Sequence, residues 1–135
     1  MDGNGVPISI TLAAANVPDH WLLKETLDSF VIQRPNPRKV RQHLLADKDY
    51  TDQRSRAIAR EYEYEAHIPQ RVNARVKLKR RPGRRKARRW VVERTFGNIN
   101  RARAIFIRWE KEPENYMALL HIAAGVICFK RSTRK

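Results

Sequence analysis

The sequence predicts an α/β fold that ends in two long helices. Two observations support this prediction. Short strand-like runs alternate with helical patterns in the first half, and longer runs of helical spacing fill the second half. The resulting order is strand, helix, strand, helix, strand and then helices. A chain of 135 residues fits one domain with a modest core.

The first predicted strand follows a turn. Residues 2–5 (DGNG) favour the positive φ angles of a hairpin turn, and apolar and polar residues alternate over residues 6–12 as in a half-buried strand. A hairpin turn normally joins two strands. The pattern therefore indicates either a strand before Met1 or a frayed terminus beside an edge strand, and it favours neither.

The next segment supplies the other elements of the predicted sheet. Residues 20–30 have the spacing of an amphipathic helix, and residues 43–46 form a short apolar run typical of a buried strand. Asp52 is a candidate N-cap for a helix over residues 52–62. Residues 64–68 form a weaker strand candidate.

The second half begins with a basic segment and continues with helices. Residues 71–89 contain eleven Lys or Arg and no acid, so they cannot form a core. Residues 90–109 have helical spacing, and Pro113 suits the first turn of a last helix that ends near Phe129. We expect the apolar stripe of residues 90–109 to pack against that last helix. The stripe consists of Val92, Phe96, Ile99, Phe106 and Trp109.

Positive charge is concentrated in the second half. The formal net charge is +15; residues 1–70 hold nine basic and ten acidic side chains, whereas residues 71–135 hold 20 basic and 4 acidic ones. A basic face gains affinity for a polyanion by releasing its counterions, which predicts a nucleic-acid partner. The candidate DNA-contacting residues are Arg71, Arg75, Lys77, Lys79, Arg80, Arg81, Arg84, Arg85, Lys86, Arg88 and Arg101.

The composition argues against a membrane or secreted protein. The longest apolar run, residues 116–129, has 14 residues, whereas a membrane span needs about 20. The N-terminus lacks the features of a signal peptide, and Cys128 is the single cysteine, which excludes an internal disulfide. We therefore expect a cytoplasmic protein that meets no membrane.

Asp47 is the first candidate for a chemical role. It directly follows the short apolar run of residues 43–46, and the carboxyl end of a buried strand is where α/β folds place ligands and metals. The alternative is that Asp47 caps a turn within residues 47–50 (DKDY), and the pattern alone favours the cap.

Glu93 is the second candidate. Arg89, Glu93, Gly97 and Asn100 share one face of the predicted helix, because they step by four, four and three residues. An acid among arginines weakens phosphate binding unless a divalent cation joins it to the phosphate, which suggests a metal ligand. The alternative is a solvent-exposed ion pair with Arg89.

Other chemistry has less support. A two-metal site usually needs a bridging third carboxylate, and none of three candidate acids fits this role well. Asp2 lies in the opening turn, Asp49 points away from Asp47 if the strand continues, and Asp52 suits a cap. The four histidines lack metal-ligand spacing, and Cys128 lies in a predicted core helix.

Six segments resemble a known family in the same order along nearly the whole chain. They are residues 2–7 (DGNGVP), 44–48 (LLADK), 88–97 (RRWVVERTFG), 100–101 (NR), 108–111 (RWEK) and 114–121 (ENYMALLH). This combination is similar to the C-terminal part of bacterial insertion-sequence transposases of the DDE group. The resemblance implies an RNase H-like core, in which helices flank a mixed sheet.

The resemblance also implies roles for individual residues. Asp47 matches the second catalytic carboxylate, Glu93 the catalytic glutamate on the helix, and Arg89 the arginine four residues before it. Lys86 and Asn100 replace the tyrosine and lysine of the family signature, which leaves the contacts to DNA ends open. The first catalytic aspartate of the family lies before Met1, so the chain is expected to be an incomplete RNase H-like domain without its N-terminal strand.

The resemblance implies DNA transposition as the function. Two Mg²⁺ (or Mn²⁺) ions would serve strand cleavage and transfer, with Asp47 and Glu93 as metal ligands. The DNA partners would be the element ends and the target DNA. The upstream segment or further transposase copies would complete the enzyme. This chain alone is expected to be inactive. The expected division is a partial core (1–70), a basic linker (71–89) and C-terminal helices (90–135). A non-catalytic DNA- or RNA-binding regulator or remnant is the alternative.

Overall fold

A computed structural model describes residues 1–69 and 89–133. The chain divides into two compact units. The helical unit consists of Met1–Ala14, Thr26–Ile32 and Arg88–Lys135, and the sheet unit consists of Ala15–Glu25 and Gln33–Ala87. The described part is mixed α/β, with a two-stranded parallel sheet and several helices, which confirms the predicted α/β class. The two described strands are parallel, so the expected mixed sheet is not seen within residues 1–69 and 89–133.

The sheet unit is built on a strand–helix–strand motif. Strand β1 (Gln42–Leu45) and strand β2 (Tyr64–His67) are parallel, with Gln42 opposite Tyr64 and Leu45 opposite His67. Because parallel neighbours need a crossover, the helix (Gln53–Glu61) lies between them in sequence. Both strands and this helix are where the sequence predicts them.

Asp52 begins the crossover helix as predicted. Its Oδ1 accepts the Ser55 backbone N–H at 2.8 Å, and its Oδ2 lies 2.5 Å from the Ser55 hydroxyl. Burial alone would raise the pKa of Asp52, but these hydrogen bonds lower it below the usual value. The cap therefore favours the ionised carboxylate and fixes the start of the helix.

Arg34 joins the two strands at their N-terminal ends. Its Nε donates to Gln42 Oε1 at 3.1 Å, and its Nη2 donates to the Tyr62 carbonyl at 2.8 Å. The guanidinium also stacks over the ring of Tyr64, 4.0 Å from the ring centre. One side chain thus contacts residues at the start of both strands and supports their register.

Two predicted elements of the first half differ in the structure. Residues 6–12 form no strand: the Ile8 carbonyl accepts the Val31 N–H at 3.2 Å, and the Cys128 thiol lies 3.7 Å from the Pro7 carbonyl. Alternation predicts a strand only where another strand offers matching hydrogen bonds. Residues 20–30 form a 3-10 turn (Asp19–Leu22) and a short helix α1 (Leu23–Asp28) rather than one helix.

Residues 89–133 of the helical unit form three helices, which we label α3 (Arg89–Ile99), α4 (Arg103–Phe106) and α5 (Pro113–Ser132); the crossover helix is α2. Pro113 occupies the first turn of α5, as predicted. Glu114 near the N-terminus and Lys130 and Arg131 near the C-terminus complement the helix dipole. None of the helices in the described ranges has the length and apolar character to cross a membrane.

The prediction of a single helix over residues 90–109 is wrong, because α3 ends at Ile99 and α4 begins at Arg103. Gly97, Asn98 and Asn100 weaken the helix at this point, since all three residue types have low helix propensity. Ala102 adopts extended backbone angles and starts the new helix.

The buried face of α3 also differs from the predicted stripe. Val91, Thr95 and Ile99, which step by four residues, are at most 8% exposed, whereas Val92 is 42% and Phe96 55% exposed. Phe106 and Trp109 are each 72% exposed, and within the predicted stripe only Ile99 is buried. The pattern failed because Thr95 is polar in sequence but buried in the structure, where its hydroxyl is hydrogen-bonded.

The core that joins α3, α4 and α5 is aliphatic. Three buried residues form its centre, one from each helix, and partly buried side chains of α5 pack around them. The buried residues are Ile99, Ile105 and Ile127, and the surrounding side chains are Tyr116, Leu119, Leu120 and Ala123.

Replacing Ile105 by Ala should therefore destabilise the protein by about 2–5 kcal/mol, because it leaves a cavity between α4 and α5. Phe106 is the matched control: it is the next residue and far more exposed, so Phe106→Ala should change stability by no more than about 0.5 kcal/mol. Urea unfolding of the three proteins measures both effects. A larger loss in Phe106→Ala than in Ile105→Ala would contradict this core.

The opening turn is anchored on α3. Asp2 Oδ1 accepts the backbone N–H groups of Asn4 (2.9 Å) and Val6 (2.8 Å). The Thr95 hydroxyl lies 2.9 Å from the Gly5 carbonyl and 3.0 Å from the Val91 carbonyl. Arg94 Nη2 donates to the Asn4 carbonyl at 2.9 Å. The turn that the sequence predicts is present, but contacts with helix α3 hold it, and residues 1–14 form no strand.

Gly5 is required where the turn meets α3. Its φ is +83°, and a Cβ there would lie 2.8 Å from Thr95 Oγ1 and 3.1 Å from Val91 Cγ1. Gly5→Ala should destabilise the protein by roughly 1–3 kcal/mol, through backbone strain and this clash. Gly3→Ala is the control, because a Cβ at Gly3 meets nothing within 4 Å. Thermal unfolding is the measurement, and equal melting temperatures for the two variants would contradict the contact.

Candidate catalytic carboxylates and their surroundings

Asp47 lies two residues beyond β1 and is exposed. Its Oδ1 accepts the Lys48 backbone N–H at 2.6 Å and caps a 3-10 turn, Lys48–Tyr50. Asp47 therefore both follows a strand and caps a turn, so the two interpretations of its position are compatible. The cap uses one oxygen to orient the carboxylate, and the side chain remains accessible from solvent.

The strand end around Asp47 is locally acidic in a basic protein. The pKa of Tyr50 is raised, first because its ring is half-buried and then because Asp19, Asp47 and Asp49 place negative charge near it. The Tyr50 hydroxyl lies 3.3 Å from the Asp19 carbonyl. This negative potential attracts cations to the carboxyl end of β1.

Glu93 lies in the second turn of α3, in the helical unit, and its side chain is exposed. Gly97 and Asn100 are exposed as well, so the face predicted for them and Glu93 lies on the surface. Arg89 is the first residue of α3. Asp47, in contrast, belongs to the sheet unit.

The helical unit also holds partly buried basic side chains and an exposed aromatic ring close to Glu93 in sequence. The guanidinium of Arg94 stacks on the ring of Trp90, 4.6 Å from its centre, and Trp90 is 57% exposed. These two residues and Arg131 line a cleft of about 400 Å³ together with residues of the opening turn. A positive cleft with an accessible aromatic ring can contact both the phosphates and the bases of a nucleic acid.

Only one of the predicted DNA-contacting residues is described by the structure. Arg101 follows α3 and is exposed. The other ten, Arg71, Arg75, Lys77, Lys79, Arg80, Arg81, Arg84, Arg85, Lys86 and Arg88, lie outside the described residues.

All Asp and Glu residues of the sequence lie in the described ranges, because residues 70–88 and 134–135 contain none. Two of the three candidates for a third carboxylate have structural roles: Asp2 orders the opening turn and Asp52 caps α2. Asp49 lies in the turn next to Asp47. Asp47 and Glu93 each carry an exposed carboxylate, and carboxylate oxygens are ligands that Mg²⁺ prefers.

The structure brings together three side chains that the sequence analysis did not connect. His43 of β1 and Glu65 and His67 of β2 offer ligand atoms that all lie within 4.8 Å of one another. Within the described residues this is the one group of three or more His, Cys, Asp or Glu with such spacing. The three residues meet because the two strands pair, and the spacing of residues along the sequence does not reveal this pairing.

Comparisons with known proteins point to one family. The family model described as "Transposase DDE domain" matches residues 44–130, a segment that includes Asp47 and Glu93. The chain is 31% identical, over 140 aligned positions and 98% of its length, to the "Putative transposase for insertion sequence element IS402" of Burkholderia cepacia. It spans 62% of the length of that relative. No solved structure matches. The chain belongs to the family of DDE-domain transposases.

Proposed function

We propose that this chain binds DNA and supplies two of the three carboxylates of an insertion-sequence transposase. The main support is the position of Asp47, an exposed, hydrogen-bonded carboxylate just beyond a parallel strand, within the segment that matches the family. Glu93 lies in the same segment, on an exposed helix face.

In this proposal, residues 1–70 form part of an RNase H-like α/β core. In support, β1 and β2 are parallel with a helix between them, and the carboxyl ends of such strands are where α/β folds place their ligands. Residues 71–89 would contact DNA, and residues 90–135 would complete the catalytic domain.

The chain's own residues would perform three tasks. Asp47 and Glu93 would hold divalent cations, with Asp47 oriented by the Lys48 N–H, and Arg89 would orient Glu93 or a phosphate. The cations of residues 71–89 and Arg101 would track the DNA backbone. When bound, two Mg²⁺ (or Mn²⁺) ions would supply charge stabilisation at the attacking and leaving oxygens of a phosphodiester.

The third carboxylate would come from residues that precede Met1 in a longer enzyme or from a partner chain. Two observations support this: Asp2 and Asp52 are engaged in a turn and a cap, and the chain spans 62% of the relative. The partners would be the element ends, the target DNA and the upstream segment or further transposase copies.

A nicking assay on DNA that carries the element's ends tests the proposal. The chain is assayed with Mg²⁺ or Mn²⁺, alone and together with the upstream segment. Cleavage that needs the metal, the upstream segment and both carboxylates supports the proposed function. Cleavage that survives replacement of both Asp47 and Glu93 contradicts it.

The alternative function is a non-catalytic DNA- or RNA-binding protein that competes with the full transposase. The excess of 20 basic over 4 acidic residues in residues 71–135 supports it, because charge alone suffices for such binding. The two functions differ in their response to Asp47→Ala and Glu93→Ala. A pure binding protein should keep its effect on transposition in both variants.

A further inference from the structure

Three potential metal ligands converge on one face of the two-stranded sheet. His43 is opposite Glu65 in the parallel register, and His67 follows Glu65 by two residues, so it shares that face. His43 Nδ1 lies 2.9 Å from His67 Nε2. The Glu65 carboxylate approaches both rings, with Oε2 3.5 Å from His43 Nδ1 and Oε1 3.9 Å from His67 Nε2.

We propose that His43, Glu65 and His67 bind a first-row transition-metal ion, with Zn²⁺ as the fitting ion. Two imidazole nitrogens and one carboxylate oxygen form a common donor set for Zn²⁺, and they leave a fourth position for water. Mg²⁺ prefers a shell of oxygen ligands. The ion chemistry therefore separates this site from the carboxylates Asp47 and Glu93, and the proposal does not depend on the proposed function.

The distances suit a single ion after a small adjustment. Two nitrogens that each lie about 2.0–2.1 Å from Zn²⁺ in a tetrahedral site are about 3.3 Å apart. The gap between the two rings would therefore open by a few tenths of an ångström from 2.9 Å. The distances from Glu65 to the rings are longer than ordinary hydrogen bonds, so an ion between them would give the carboxylate a closer partner.

The surroundings allow an ion to enter and the ligands to stay in place. The side chains of His43 and His67 are 28% and 26% exposed, which restricts their rotation but leaves a path from solvent. The competing cation is Arg41, whose Nη1 lies 3.7 Å from Glu65 Oε2. Arg41 is 81% exposed, and such ion pairs are weak, so it does not block the site.

A bound ion would join β1 to β2 directly. His43 lies four residues before Asp47, so the ion would hold the strand that leads to the candidate catalytic carboxylate. Because the three ligands come together only in the folded sheet unit, binding should stabilise the folded protein.

The test uses the full chain without a histidine tag, first treated with a chelator. Titration calorimetry with Zn²⁺ measures affinity and stoichiometry, and the visible absorption of Co²⁺ reports nitrogen and oxygen ligands. We expect one ion per chain, a raised melting temperature and no competition from excess Mg²⁺. His43→Ala and His67→Ala should weaken binding by more than about 10–100-fold, the effect of losing even an outer-shell partner.

Three further variants make the test specific. Glu65→Gln keeps the size of the side chain and removes its charge, so it should weaken binding without loss of the fold, which circular dichroism checks. His121→Ala removes an exposed histidine of α5 and should bind as the wild type does. Asp47→Asn should also retain the site. Absence of saturable Zn²⁺ binding, or equal affinity in His43→Ala, Glu65→Gln and the wild type, would overturn the proposal.

Discussion

Metal-dependent nicking should disappear in Asp47→Ala and in Glu93→Ala when the chain is supplied with the upstream segment. In-line attack on a phosphodiester needs both the attacking and the leaving oxygen stabilised, which two bound ions achieve only if their ligands hold them in place. A displacement of about 1 Å at such a site can reduce the rate about 100-fold, and loss of a ligand should reduce it further. The measurement is the rate of nicking with Mn²⁺ on DNA that carries the element's ends.

Two controls define this result. Glu114→Gln replaces an exposed carboxylate in the first turn of α5 and should leave nicking unchanged. Residues 1–135 alone should bind DNA and not cut it. Cutting by this chain alone, if abolished by Asp47→Ala, would show that a third carboxylate lies within the chain and that the proposed role of an upstream aspartate is wrong.

DNA affinity should fall by about 10³–10⁵-fold between 50 and 200 mM salt if residues 71–89 contact about 6–10 phosphates. The reason is the release of counterions, since this segment holds eleven basic and no acidic side chains. Affinity should vary little with DNA sequence, because phosphate contacts carry no base information. Fluorescence anisotropy over a salt series measures the slope.

Matched substitutions locate this effect in the chain. Replacing Arg80, Arg81 and Arg84 by Gln should lower the salt slope by about 3, roughly one for each lost phosphate contact. The control replaces three exposed cations of the sheet unit by Gln, namely Arg38, Lys39 and Arg41, and should leave the slope nearly unchanged. Equal slopes for both triple variants would place the DNA contacts elsewhere.

The elements that local chemistry determines could be predicted from the sequence. The strand of residues 43–46, the cap at Asp52 and the helix start at Pro113 each depend on a few neighbouring residues, and the structure agrees with all three. Asp47 follows a strand and Glu93 lies on a helix, as the sequence predicts.

Features that depend on distant partners could not be predicted. Thr95 is buried because its hydroxyl reaches the Gly5 carbonyl, a contact 90 positions apart in sequence, so the apolar pattern selected the wrong face of α3. Residues 6–12 alternate like a strand but bond to groups outside any sheet. His43 and His67 meet only through the pairing of β1 with β2, and 24 positions separate them.

The anchoring of the opening turn on α3 also constrains the order of folding during synthesis. The carbonyls of Asn4 and Gly5 are contacted by the side chains of Arg94 and Thr95, each 90 positions later in the sequence. The Pro7 carbonyl is contacted by the thiol of Cys128, 121 positions later. These contacts can form only after the later residues have been synthesised. At about 5–20 residues per second, a ribosome makes the partners many seconds after the turn. The β1–α2–β2 motif can form in the interval, because the pairing of β1 with β2 lies within residues 42–67. We therefore expect the sheet unit to fold first.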